Sequence, residues 1–410
     1  MKIQSNFAVL FIALLLINFC SQATEISADV SQPSLPEIKL GMSTALSGPT
    51  ANLGLEMRQG VLAGFERANR AGGIHGRRLR LIALDDGYEP HRTAPNMRSL
   101  VEKENVLAVI GNVGTPTAIA ALPIALERKT LFVAPVTGAG VLRNTPPDRY
   151  VINYRASYAE EIGAMIDALI DRGGLKIEDI AFFTQRDGYG DSGFGGGIEA
   201  LKRHGLTDET QVLHTRYERN TSAVENALAA MIIAKHEPRA VIMVGAYGPC
   251  VKFIKLADKA GLKSIFLCVS FVGSNSLLKE LGDQQAPVIV TQIVPNPTQP
   301  DLPIVADYLS DLKLCGGGAE PGYGSLEGYI AARMLCLGLE HVSGAPTRES
   351  LIDALESLGK FDLGTGAALQ LDPKEHQASH TVWPSLIKNG VLTPFAWADI
   401  AALLDKRGAP

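Results

Sequence analysis

The stretch Ile110-Gly111-Asn112-Val113-Gly114-Thr115-Pro116-Thr117 sets a hydroxyl and flexible glycines between a buried apolar run and a helix-forming one. Thr115 has the residue type of an N-cap, and Pro116 suits a first helical turn, where its missing N–H costs nothing. The unpaired N–H groups of Thr117 and Ala118, with the Thr115 hydroxyl, would then accept a carboxylate, although an ordinary capped helix reads the same way. Asn112 and Gly114 add weight to the acceptor, since glycine lets a ligand approach the backbone closely. Pro135-Val136-Thr137-Gly138-Ala139-Gly140 repeats the pattern after the next strand and places Thr137 and Gly138 at the same sheet edge.

Two further loops carry phenols. Gly188-Tyr189-Gly190-Asp191-Ser192-Gly193 matches G-x-G-x-x-G, but residues 184–187 separate it from the strand that a dinucleotide turn must follow directly. An aromatic gate fits better, with Tyr189 presenting a ring face and a hydroxyl. Gly245-Ala246-Tyr247-Gly248-Pro249 is the equivalent loop at a later strand. Tyr189 and Tyr247 read either as a clamp on an apolar ligand or as tyrosines half-buried between helix and sheet.

Signals for catalysis and metal are weak. His376 and His380 are four apart with Asp372 and Glu375 nearby, but Pro373 argues against a regular helix, so they read as solvated loop histidines. Asp85-Asp86 ends a strand and reads as loop capping. No G-x-S-x-G elbow, P-loop lysine motif, H-E-x-x-H or C-x-x-C occurs. No catalytic residue, metal site or cofactor is therefore expected.

The elements that must position these loops follow a βαβα rhythm. Strands are predicted over 38–43, 79–84, 107–110 and 131–133, alternating with helices over 53–70, 94–104 and 117–128. A second series places helices over 159–172, 194–204, 221–236 and 251–260 among strands over 179–183, 211–215, 240–244 and 264–267. Nearly all-apolar strands such as 106–110 are those of a parallel sheet covered on both faces. Helices over 304–314, 325–340 and 348–358 come next, and the strands 382–388 and 391–395 flank Asn389-Gly390, a type I′ turn pair. The expected fold class is α/β, with two doubly wound parallel-sheet lobes and a ligand cleft between the carboxyl ends of their strands.

Composition narrows the function. Of 410 residues, 46% are hydrophobic, 20% charged and 6% aromatic, and the net charge is −5, which disfavours nucleic acid and anionic lipid as partners. Lys2, the apolar run 7–19 and Ser21-Gln22-Ala23 compose an export signal with cleavage after Ala23 and a periplasmic destination. Cys20 follows Phe19 where a lipoprotein site wants a small residue, which argues against lipidation. Four cysteines remain, Cys250, Cys268, Cys315 and Cys336, with no metal spacing. If one bridge forms, Cys250 with Cys268 is the expected pair, whereas Cys336 reads equally well as a buried thiol on a helix.

The segments 38–49 (Ile-Lys-Leu-Gly-Met-Ser-Thr-Ala-Leu-Ser-Gly-Pro) and 69–74 (Asn-Arg-Ala-Gly-Gly-Ile) resemble the opening of the branched-chain amino-acid-type, leucine/isoleucine/valine-binding-protein-like solute-binding proteins of ABC importers. Asp85-Asp86, the Gly111 loop, Pro135 to Ala139, Tyr189-Gly190, Gly245-Ala246-Tyr247, Ala260-Gly261-Leu262 and Leu326-Glu327-Gly328-Tyr329 follow in that family's order. The resemblance implies a type I periplasmic binding fold with three hinge crossings, placed by similarity near Arg155, Gln292 and Leu371. It divides the chain into a signal peptide (1–23), a leader (24–37), lobe 1 (38–155 plus 293–370) and lobe 2 (156–292 plus 371–410). It implies a non-enzymatic, monomeric protein that passes a small amino-acid-like, carboxylate or amide ligand to an inner-membrane permease. A ligand-sensing module without transport is the alternative. By the same similarity, Thr115 with Val113, Gly114, Thr137 and Gly138 holds a ligand carboxylate, and Tyr189 and Tyr247 face it from lobe 2. The acid that pairs a ligand ammonium falls near Ser270, which is no acid, and Leu53 stands where an aromatic often covers the ligand. Either Asp187 supplies the missing charge or the ligand lacks an amine, because an unpaired buried ammonium costs several kcal/mol.

Overall fold

The computed structural model describes residues 35–315 and 318–408. The expected signal peptide, with Cys20 and Ala23, and nearly all of the leader lie outside the described residues. Strands β1 (Glu37–Thr44), β2 (Arg78–Asp85), β3 (Ala108–Ile110), β4 (Leu131–Val133) and β5 (Val151–Ile152) form a parallel sheet in the order β2-β1-β3-β4-β5. Its crossovers are α1 (Ala51–Arg70), α2 (Pro90–Arg98) and α3 (Thr115–Glu127). β3 and β4 are buried at every residue, hence their unbroken apolar runs, while edge strand β2 carries exposed Arg78 and Arg80.

After β5 the chain enters α4 (Tyr158–Asp167) and builds a second sheet. Here β6 (Ile180–Gln185), β7 (Leu213–Tyr217), β8 (Ala240–Val244), β9 (Ile265–Cys268) and β10 (Val288–Gln292) run parallel. Helices α5 (Gly188–Arg203), α6 (Glu225–Ile232), α7 (Tyr247–Lys259) and α8 (Ser274–Leu281) connect them. The chain then leaves for α9 (Pro303–Leu314), α10 (Tyr323–Glu340), α11 (Arg348–Glu356) and the small ladder of β11 (Gly359–Phe361) and β12 (Leu369–Leu371). It returns as β13 (Trp383–Lys388) and β14 (Val391–Pro394), antiparallel strands that extend the second sheet beside β10, and ends in α12 (Ile400–Gly408). Asn389 and Gly390 take φ of 53° and 72°, as the type I′ turn requires. The expected architecture of two wound lobes is the observed one.

The differences have local causes. Helices expected over 94–104 and 159–172 each finish in a π turn, Ser99–Lys103 and Ala168–Arg172. β5, with two residues, and the ladder strands β11 and β12, with three each, are too short to register as periodic runs. β10 and α8 were not anticipated either, although Val288-Ile289-Val290 is apolar and β-branched.

One contact fixes the wall of the site. α10 crosses α1 backbone to backbone: a Cβ on Gly60 would lie 1.7 Å from the Ser325 carbonyl oxygen, and one on Gly328 2.3 Å from that of Met57. Only glycine permits this approach, and it brings the first turns of both helices to one end of the first sheet.

Candidate functional site

At that end a cavity opens between the two lobes. Leu53, Glu56 and Met57 of α1, with Tyr323 and Glu327 of α10, form one wall. Ser270 and Phe271, just past β9, face them, and Arg155 and Gln292 close it where the chain passes between sheets. Its free volume is about 30 Å³, space for a water or two, so a ligand of amino-acid size enters only when the lobes part.

The lining is apolar around a few charged groups. Arg155 is 2% exposed, and its Nε and Nη2 donate to the Glu327 carboxylate at 2.9 and 3.0 Å. Nη1 of Arg155 has no hydrogen-bond partner among the described residues. Burial disfavours this guanidinium's charge, but Glu327 outweighs it and holds the pKa above the ordinary value. Glu161 of α4 lies behind Ser270 and accepts from the Ser270 N–H at 2.7 Å and hydroxyl at 3.0 Å, and from Thr291 Oγ1 at 2.5 Å. Burial raises its pKa against the opposing pull of Arg155 and these donors. Glu56 is pushed up to about 7 by burial, only partly opposed by the Gly324 N–H at the start of α10.

The expected site residues divide into two groups. Leu53 and Ser270 line the cavity. Thr115 and Thr137 meet as the adjacent loops foretell, but their hydroxyls bond each other at 2.6 Å and both residues are buried. Thr115 is the first helical residue of α3 and not its N-cap; that position belongs to Gly114 at φ 106°. The Ala118 N–H, expected to be unpaired, donates to the Gly114 carbonyl at 3.0 Å. Gly114 lies under the Tyr88 ring and Gly138 against Tyr158, so these side chains cover the expected carboxylate cradle. Val113 is buried beside it, bridged to Val136.

The phenols and the acid are likewise engaged. Tyr189 is fully buried, its ring centroid 4.7 Å from that of Phe271 and 5.2 Å from that of Tyr158, with its hydroxyl 3.4 Å from the Gly245 carbonyl. Tyr247 reaches across the lobes to donate to the Pro49 carbonyl at 2.6 Å. Asp187 caps α5 through the Tyr189 N–H at 3.0 Å and binds Arg219 at 3.0 Å, so its charge is already spoken for. Further bonds hold the lobes together: Gln185 Nε2 to the Tyr88 hydroxyl (3.2 Å), Asn52 to Ser276 (3.1 Å) and Arg219 to Glu89 (3.0 Å).

Sequence reading overlooked Tyr88, Tyr158, Phe271, Glu56 and Glu161, and took Arg155 only for a hinge crossing. A signal existed for Tyr88 alone, in the acidic turn before it. Asp86 accepts its N–H at 2.9 Å and holds it at φ 64°, a left-handed conformation that turns the ring over Gly114. Asp85 accepts the N–H groups of Leu46, Ser47 and Gly87, as loop capping demands.

His376 corrects another expectation. It is buried, with Nδ1 2.9 Å from the Val151 carbonyl and Nε2 3.2 Å from Glu356; only His380 is exposed, and it pairs with Glu160 at 2.5 Å. The described residues contain no cluster of three potential metal ligands. The four described cysteines are free thiols, so the expected Cys250–Cys268 pair is not a disulfide. Both are buried, and the Cys250 thiol is pushed well above its usual range by burial and then by its neighbour Cys268.

Comparison with known proteins gives a consistent result. A family model described as periplasmic binding protein matches residues 37–390. A possible leucine/isoleucine/valine-binding protein of Rhodopirellula baltica, solved by crystallography, is 48% identical with a TM-score of 0.87, over 91% of this chain and 100% of that one. The Leu/Ile/Val-binding protein homolog 7 of Brucella abortus is 24% identical over 367 residues, 85% of this chain and 88% of its own. The branched-chain amino acid transporter substrate binding protein LivJ of Streptococcus pneumoniae, solved with isoleucine, shares the fold at 17% identity and a TM-score of 0.73, over 87% and 97% of the two chains.

Proposed function

The chain belongs to the periplasmic binding protein family, a solute-binding and non-enzymatic one, and from that premise we propose that it captures a small amino-acid-like, carboxylate or amide ligand by closing its lobes. The closed form then delivers the ligand to an ABC permease in the inner membrane, with the protein acting as a periplasmic monomer. The observation that carries this reading is the interlobe cavity, apolar along Leu53, Met57 and Phe271 yet furnished with a guanidinium, carboxylates and hydroxyls. An apolar body and a charged head match that lining. Micromolar affinity needs only about −8 kcal/mol, within reach of a few charge-assisted hydrogen bonds and one buried aliphatic group.

Thermal unfolding with a panel of L-leucine, L-isoleucine, L-valine, small carboxylates and amides tests the capture step. At a hundredfold excess over Kd, a binder adds about 2.7 kcal/mol and raises the melting temperature by several degrees. A well-folded sample whose melting point no compound moves would defeat the proposal. Loss of uptake on deletion separates import from a purely sensory role.

A further inference from the structure

The cleft has two ends, and the structure furnishes them differently. The end at the start of α3 is occupied by the protein itself: Thr115 and Thr137 satisfy each other, and Tyr88 and Tyr158 lie on the glycines around them. The hinge end holds the cavity, a buried guanidinium with an unpartnered Nη1, and the Glu56 carboxylate. Resting on the capture reading above, we propose that the ligand's charged head is a zwitterion bound at this hinge end, its carboxylate on Arg155 and its ammonium on Glu56, with its apolar body lying toward Leu53 and Phe271.

The chemistry of each partner supports the assignment. Arg155 already forms a side-on pair with Glu327, and its remaining Nη1 donors are buried in an atom that makes no other bond among the described residues. An unsatisfied buried donor costs about 1–3 kcal/mol, which an incoming carboxylate recovers. Glu161, behind Ser270, has its oxygens engaged by Ser270 and Thr291, so the ammonium partner missing at Ser270 must come from a different element. The Glu56 carboxylate lies beside Gly324, whose N–H favours the ionised form, and it forms no salt bridge among the described residues. Around it stand the phenols of Tyr247 and Tyr308, Arg155 and Glu327 on the cavity side, and Lys279 and Glu320 along the outer groove into which it also opens. An ammonium placed against this carboxylate stabilises its ionised form, and binding therefore expels a proton from those molecules in which Glu56 was protonated.

Calorimetry on the whole mature protein tests this with L-leucine, 4-methylpentanoate, which lacks the amine, and 3-methylbutylamine, which lacks the carboxylate. Leucine is expected to bind at least tenfold more tightly than either truncated compound. At pH 7 its binding heat should vary with buffer ionisation enthalpy by a fraction of a proton released. Glu56→Gln should abolish that release and weaken leucine at least tenfold, while leaving 4-methylpentanoate unchanged. Removing Arg155 alone strands Glu327, so Arg155→Met is made with Glu327→Met, and this pair should cost 4-methylpentanoate its affinity. Thr115→Val with Thr137→Val should leave leucine binding within about twofold. Leucine binding that ignores Glu56→Gln and fails in the threonine variant overturns the placement but preserves the capture reading. Wild-type protein that binds none of the three compounds, nor any other amino acid, small carboxylate or amide, overturns both.

Discussion

His380 and Glu160 join the last chain passage between the sheets to the start of α4, and their charges set a pH window. Hydrogen bonding to Glu160 raises the His380 pKa above 6.5 against burial and nearby Arg143, and Glu375 adds to the rise. Burial works against the Glu160 carboxylate, yet donors from His380, Ser157 and Gln377 prevail and hold it at about 2. The histidine's contribution is complete below its unfolded value and fades as pH rises through the folded one. That of the acid is complete above 4.5 and fades as pH falls toward 2. Both side chains are partly exposed, at 55% and 33%, so the pair contributes under about 1 kcal/mol. His380→Gln should therefore lower the melting temperature most between roughly pH 4.5 and 6.5, and progressively less as pH rises above that range, read by circular dichroism across pH. At this scale the sequence was partly legible. That Thr115 and Thr137 lie side by side was legible because each follows a strand and the strands are neighbours, whereas their burial under Tyr88 and Tyr158 was not. Arg155 and Glu161 carry no such mark, since their importance comes from burial by segments distant in the chain.

The elements were the most legible part, because β3, β4, β6 and β8 are buried on both faces and must read as apolar runs. What could not be read was how the late helices dock. Gly60, Gly64 and Gly328 sit on faces where α1 and α10 touch, and a glycine inside a helix announces nothing until its neighbour is known. Gly60→Val should force the two backbones apart, at a cost of about 1–3 kcal/mol from overpacking, more if the helices separate. Urea unfolding will show this as a lower midpoint at an unchanged slope. The same variant should weaken ligand binding, since the separation displaces Glu56 and Met57 relative to Tyr323 and Glu327.

The whole molecule is held shut by a few polar ties at the mouth of the cleft. Arg219 bonds both Asp187 of its own lobe and Glu89 of the other, and Asn220 donates to the Gly87 carbonyl at 3.2 Å and to Glu89 at 2.7 Å. Arg219→Ala removes the cation between two carboxylates, which should favour the open form by about 1 kcal/mol. L-leucine should then dissociate about fivefold faster in stopped-flow, and small-angle scattering of the unliganded protein should give a larger radius of gyration. The two-lobed plan followed from the strand-and-helix rhythm, whereas its closed geometry did not, because no local pattern encodes which surfaces meet across a cleft. The backbone seam between α1 and α10 has one more implication, for biogenesis. A ribosome that has made only the first five strands leaves α1 with a bare glycine groove, and the covering helix emerges near the close of synthesis. The half of the protein that is translated first is thus completed only after the five parallel strands of the second sheet have been made. A nascent chain stopped before residue 323 should remain protease-sensitive throughout its opening half.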